Sequence, residues 1–213
     1  AEKVNVVLEA ADPDFSPGVV NDAFLRTYNI SKSFVLTMAK YEPRKNLAMA
    51  IKAFAEFREK THLDYQFVVA GGMGWKTGGV TDLPEVLGIA DKVIFTGYLE
   101  KTDLVNLVRG AQLVVVPSLY EGFGLPVLEA MACGTPVVCS ETASLPEVGG
   151  VAAGYFDPTS VNSISLELQR VLGSKDILET MKQSGLVQAG KFSWERAAEE
   201  TLDVYQRVAG EGK

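Results

Sequence analysis

The sequence predicts an α/β domain: a doubly wound, mainly parallel, Rossmann-like sheet with helices packed against it. Three observations predict it. Short apolar, β-branched runs at 34–38, 66–70, 93–96, 113–116 and 136–139 have the length of buried strands. Segments with apolar residues at helical spacing alternate with these runs, as βαβ units require. Loops follow the strands at Met38, Ala70, Thr96 and Pro117, and in a parallel sheet such loops converge on one edge, where ligands bind.

Size and composition fit that class. The 213 residues, 47% hydrophobic and 22% charged, are those of one globular domain. A net charge of −7 argues against nucleic acid as the main partner, and any phosphate site must be locally basic. No apolar run approaches the ~20 residues that span a bilayer, and no signal peptide is visible. Cys133 and Cys139 have the spacing of neither a redox pair nor a zinc site. They read as small buried residues in a reducing compartment.

Residues 1–17 read as an edge strand, Val4 to Leu8, followed by a turn-rich, linker-like segment; residues 18–213 read as the domain proper. Asp12-Pro13-Asp14 is a D-x-D triplet, but no further ligand cluster lies near it and no metal site is assigned. Ser16-Pro17 reads as the cap of a short helix through Phe24, Leu25 and Tyr28. The first strong strand, 34–38, runs through AKYEPRKN into a helix carrying Leu47, Ala50, Ile51, Phe54 and Phe57 on one face. Arg44 offers a bidentate fork and Lys45 a point charge, so this loop reads as a diphosphate clamp or, failing that, a solvated basic turn.

After strand 66–70 comes GGMGWKTGG. It is not a P-loop, because Ala70 and Trp75 stand where glycines are needed. A dinucleotide fingerprint fits Gly72 and Gly74 but meets Thr77. The loop reads as a wall of the cleft, with Lys76 as a candidate phosphate contact. A short helix over 83–89, the strand 93–96 and a helix from Thr102-Asp103 follow, the last with Leu104, Leu107 and Val108 on one face. Near the end, Ser144 and Glu147 flank a short turn or helix, and the amides of Gly149-Gly150 are candidates to face the cleft. Residues 153–156 read as the last strand. Helices over 160–172, 175–189 and 193–208 close the chain, the last striped by Trp194, Ala198, Thr201, Tyr205 and Val208. His62, the only histidine, sits at a polar helix end and reads as a surface residue.

The most informative stretch is VVVPSLYEGFGLPVLEAMACGTPVV, residues 114–138. It reads as strand, glycine loop, helix and strand. Pro126 suits a first helical turn and Gly134 a helix stop. Glu121 lies in the loop and Glu129 one turn inside the helix, while Gly122 and Gly124 let backbone approach a ligand. A helix N-terminus attracts anions, and carboxylates only accept hydrogen bonds, so they suit hydroxyl-rich ligands. Together these describe a nucleotide sugar. Glu129, placed in the first helical turn, is expected to stay ionised and so to be a poor general acid.

EGFGLPVLEA resembles the E-x7-E signature of the retaining family-4 (group 1) glycosyltransferases. The resemblance extends across SLYEGFGLPVLEAMACGTPVV and through EPRKN, FTGYL and FSWER, nearly the whole chain. It implies the two-domain GT-B architecture, with this chain as the C-terminal, donor-binding half and the acceptor-binding N-terminal half, or a partner chain, missing. By resemblance, Glu129 would hold the ribose hydroxyls and Glu121 the transferred sugar. Lys45, with Arg44, would stabilise the diphosphate, and Gly122, Phe123, Gly124 and Leu125 would line the same cleft. Tyr98 and Leu99 would lie against the base. Some members place an arginine earlier in the basic loop, where this sequence has Lys40, and whether Lys40, Arg44 or both assist Lys45 stays open. The implied ligand is a GDP- or UDP-linked sugar, with a lean to GDP-mannose. Sugar transfer with retention, no essential metal and no further cofactor are also implied. The expected location is cytoplasmic, with peripheral membrane contact in the full enzyme left open. Two other readings stand beside it: a non-catalytic nucleotide-sugar-binding subunit, and an NAD-dependent Rossmann dehydrogenase.

Overall fold

A computed structural model describes residues 4–72, 74 and 78–211. Six strands form one sheet: β1 (Phe34–Met38), β2 (Gln66–Ala70), β3 (Val93–Gly97), β4 (Leu113–Val116), β5 (Val137–Ser140) and β6 (Gly154–Phe156). Their order is β3-β2-β1-β4-β5-β6, and every neighbouring pair is parallel. The order reverses between β1 and β4, where Val35 pairs with Leu113 and Leu36 with Val114. Crevices open beyond the carboxyl ends of strands at such a reversal.

Side-chain alternation along the strands builds two cores, one on each face. Leu36, Met38, Val114 and Val116 pack with α4 (Lys101–Gly110) and α5 (Leu125–Ala132). Val35, Val69, Leu113 and Val115 pack with Phe54 and Phe57 of α2 (Leu47–Thr61), and with Ile164 and Leu168 of α7 (Val161–Leu172). A strand buried on both faces reads as a continuous apolar run, which is why FVLTM and LVVV were visible in the sequence.

Helix starts follow side-chain chemistry. Ser160 caps α7 through the Ser163 amide, and Ser174 caps α8 (Lys175–Ala189) through the Ile177 amide. The expected cap at Ser16-Pro17 is corrected: α1 (Asp22–Thr27) starts at Asn21, whose side chain accepts from the amides of Ala23 and Phe24. Ser16 serves another partner. Its carbonyl and hydroxyl accept from Arg109 of α4 at 2.7 and 3.2 Å. The expected helix over 83–89 shortens to α3 (Leu83–Val86), because the chain turns left-handed at Gly88 (φ 69°). Residues 90–92 form a separate 3-10 turn.

The expected edge strand at Val4–Leu8 is also corrected. Residues 4–11 form no strand, and Val4 and Val6 are exposed. Beyond them the segment is tied down. Phe15 is buried in the core beside Leu25 and Ile30, and Trp194 donates its indole N–H to the Ala11 carbonyl. α6 (Leu145–Gly149) precedes β6, and α9 (Trp194–Glu211) ends the described chain. On α9, Trp194, Leu202, Tyr205 and Val208 are exposed. Among the described residues, no helix is long and apolar enough to cross a membrane.

Candidate functional site

The loops after β1 and β4 are stitched together at the reversal of strand order. Asn46, held left-handed at φ 56°, donates from Nδ2 to the carbonyls of Pro117 (3.0 Å) and Pro158 (2.8 Å). The Leu119 amide donates to the Arg44 carbonyl at 2.8 Å. The β1 loop itself makes a 3-10 turn, Pro43–Lys45, with Pro43 setting its first φ. Two basic side chains therefore face the start of the EGFG loop.

Glu121 receives them. Its carboxylate is nearly fully buried, and it accepts from Lys45 Nζ at 2.5 Å, Ser118 Oγ at 2.7 Å and Arg44 Nη1 at 3.4 Å. Lys45 is itself 12% exposed at the side chain, whereas Arg44 is half exposed. A buried charge is tolerated only when paired and hydrogen-bonded, and Glu121 meets both conditions. The sequence reading took Arg44 and Lys45 together in one loop and Glu121 in another, and the fold joins the three. It missed Ser118, Asn46 and Glu42, which hold them in place. The S-x-x-E spacing was the only local signal for Ser118. Lys40 stands apart, 4.0 Å from Glu42 and mostly exposed, so Arg44 is the basic neighbour that shares Glu121 with Lys45.

The glycines divide by role. Gly124 has φ 120° and begins α5, a conformation that a side chain strains. Gly122 is exposed with open space around it, so nothing inside the chain demands a glycine there. Phe123 turns its ring edge-on to Phe192, 6.0 Å between centroids, and serves the core as well as the loop. Leu125 opens α5 and is partly buried.

Glu129 is not part of that cluster. It starts the second turn of α5, no acidic residue occupies the first turn, and its carboxylate has no hydrogen-bond or ion-pair partner among the described residues. Burial, with the Asp12 charge adding to it, pushes its carboxyl up to about 7. The expectation of a firmly ionised Glu129 is thus corrected. The helix-end field fades within a turn, while desolvation penalises the charge. One turn on, Cys133 lies against Ser16 and Arg109, and burial pushes its thiol up to about 11.

Tyr98 is 75% exposed beside Gly72, and Leu99 packs on the core. Gly149-Gly150 does not offer free amides to a cleft. The Gly150 amide donates to Pro146, its carbonyl accepts from the Tyr155 hydroxyl, and Gln188 packs on it. The Asp12 and Asp14 carboxylates are both taken by Lys101 Nζ, at 3.0 and 2.5 Å. Among the described residues, no cluster of three or more His, Cys, Asp or Glu could hold a metal ion. His62 is exposed at the end of α2. Lys76 lies outside the described residues.

The molecule is a doubly wound α/β domain with a joined acid–base cluster at the point where its strand order reverses, the position where this class of fold binds nucleotide-like ligands. A family profile described as "Glycosyl transferases group 1" matches residues 26–187. The chain belongs to that family. It is similar to "O-antigen chain mannosyltransferase B" of Escherichia coli, 34% identical over 209 residues, covering 97% of this chain and 55% of that protein. The chain thus spans about half the length of that curated relative. Among solved structures it resembles Anabaena Alr3699/HepE in complex with UDP and glucose, with TM-score 0.82 and 18% identity, covering 98% of this chain and 57% of that one. It also resembles the C-terminal domain of a glycosyl transferase group 1 family protein (LpcC) from Francisella tularensis. There the TM-score is 0.73 and the identity 21%, with 83% of this chain and 94% of that one covered. At these identities the structural likeness speaks to the fold.

Proposed function

We propose that this chain is the donor-binding domain of a retaining glycosyltransferase whose donor is a nucleoside-diphosphate sugar, with a mannosyl group the favoured cargo. One observation carries the reading: Lys45, Arg44 and Glu121 meet in the crevice where the strand order reverses. Two cations there suit a diphosphate, and a carboxylate beside them suits sugar hydroxyls. As the glycosidic bond breaks, negative charge develops on the leaving diphosphate, and each well-placed donor lowers that barrier by ~2.7–4 kcal/mol. Glu129, its carboxyl raised to about 7 by burial and the Asp12 charge, accepts ribose hydroxyls once ionised. Tyr98 and Leu99 flank the base. The donor is the only small molecule this chemistry requires, and no metal enters it. The mannosyl assignment leans on the name of the Escherichia coli relative.

The acceptor is expected to bind elsewhere. Exposed Trp194, Leu202, Tyr205 and Val208 on α9 form an apolar stripe that the remainder of the enzyme, or a partner chain, would cover. The isolated chain should therefore bind donor without turning it over.

A titration panel of GDP, UDP, GDP-mannose, UDP-glucose and NAD, read by calorimetry, tests the reading. Binding of a nucleoside diphosphate, weakened by Lys45→Ala more than binding of the corresponding nucleoside is weakened, supports it. Binding of NAD alone, or equal losses for diphosphate and nucleoside, overturns it.

A further inference from the structure

Arg44 is held from two sides. Its Nη1 donates to Glu121 at 3.4 Å, and its Nε donates to Glu42 at 3.2 Å. Its remaining amino group, Nη2, has no partner among the described residues. The guanidinium is planar, so two carboxylates on neighbouring nitrogens fix both its position and the plane in which Nη2 points.

Glu42 is unusually constrained for a loop acid. It precedes Pro43, which confines it to extended backbone, and it has φ −128° and ψ 147°. Its amide donates to the Lys40 carbonyl at 2.8 Å. Its side chain is only 15% exposed. The neighbouring loop passes close over it at Gly74, where an added Cβ would lie 3.1 Å from Glu42 Cγ and 2.3 Å from the Tyr41 carbonyl oxygen. A carboxylate so enclosed is a fixed anchor, whereas the half-exposed arginine beside it is a long chain with much rotamer freedom to lose.

We propose that Glu42 is a positioning residue that holds the Arg44 guanidinium so that its free edge meets the terminal phosphate of a bound nucleoside diphosphate. This rests on the donor-binding reading above and extends it to a residue that makes no contact with the ligand. Pre-setting the fork lowers the ordering cost at the moment of binding. The negative charge of Glu42 opposes the phosphate to some degree, so removal of the charge and removal of the anchor act in opposite directions. Glutamine keeps an oxygen for Arg44 Nε without the charge, while alanine removes both.

The test is calorimetric titration of the chain with GDP and UDP, and with GMP and UMP, using wild type, Glu42→Gln and Glu42→Ala. The same pair of variants is then made in an Arg44→Ala background, with thermal melts as the folding control. The expected result is that Glu42→Ala binds the diphosphate about tenfold more weakly than Glu42→Gln, the effect of one charge-assisted hydrogen bond. The monophosphates should not distinguish the two variants, and the difference should vanish without Arg44. Equal diphosphate affinity for the two variants, or a difference that survives the loss of Arg44, overturns the proposal and leaves the donor-binding reading standing. A wild-type chain that binds no nucleoside diphosphate overturns both.

Discussion

Glu129→Gln is the perturbation whose size follows most directly from the structure. Glutamine matches glutamate in shape and stays neutral at every pH, so it stands in for the protonated carboxyl. In the folded chain the carboxyl is raised from 4.5 to about 7, first by burial and then by the Asp12 charge. A raised acid is an energetic burden only when charged. Below pH 4.5 it is protonated in both folded and unfolded chains, and wild type and variant should be equally stable. As pH rises from 4.5 towards 7, the unfolded chain ionises and the folded chain resists, so wild-type stability falls. Above 7 the loss is complete and, at 1.36 kcal/mol per pH unit, amounts to ~3 kcal/mol at most. For a domain of this size 1 kcal/mol moves Tm by ~2–4 °C, so Glu129→Gln should melt several degrees above wild type at pH 8 and level with it at pH 4. The groups that share this corner are Asp12, Asp14 and Lys101, with Arg109 beside Cys133. Repeating the scan in Asp12→Asn therefore separates the burial contribution from the Asp12 charge. Thermal melts across pH 4–8 read the effect directly. A melting difference that stays constant with pH would refute the claim that Glu129 is held partly protonated by its surroundings.

Two further predictions concern how the loops are held. Asn46→Ala removes the donor to the Pro117 and Pro158 carbonyls and puts at φ 56° a residue that tolerates the left-handed region less well than asparagine. It should cost ~2–4 kcal/mol, from two hydrogen bonds and left-handed strain, read by urea denaturation. Asn46→Gly, which keeps only the hydrogen-bond loss, should recover part of that. Gly124→Ala strains φ 120° and brings a Cβ to 3.0 Å from Leu145 Cδ2. It should destabilise by ~1–3 kcal/mol and weaken any diphosphate bound at the start of α5. Unchanged denaturation would show that the loop relaxes without cost.

Much of the fold was legible because local chemistry wrote it. LVVV is apolar at every position and FVLTM at every position but Thr37, as suits strands covered on both faces, and EGFGLPVLEA carries its own loop glycine, first-turn proline and helix. The misreadings share one cause. Val4 to Leu8 has a strand's apolar content, but strand pairing depends on a neighbour that the local sequence does not name, and none pairs there. Ser16 is a good cap by type, yet Arg109, 93 residues away, claims it. Glu129 looked like a first-turn acid in a favourable field, and only its burial under the packed chain shows otherwise.

The amino-acid order alone determined the alternation of strands and helices and the identities of the acidic and basic residues that matter. Periodicity and capping act over a few residues, and a linear reading resolves them. Strand order acts across the chain. Placing β1 beside β4, with their loops laced by Asn46 and Leu119, is what carries Lys45 to Glu121 across 76 residues of sequence. Only the folded sheet makes that pair, because each charge could be buried only once the other had arrived to meet it.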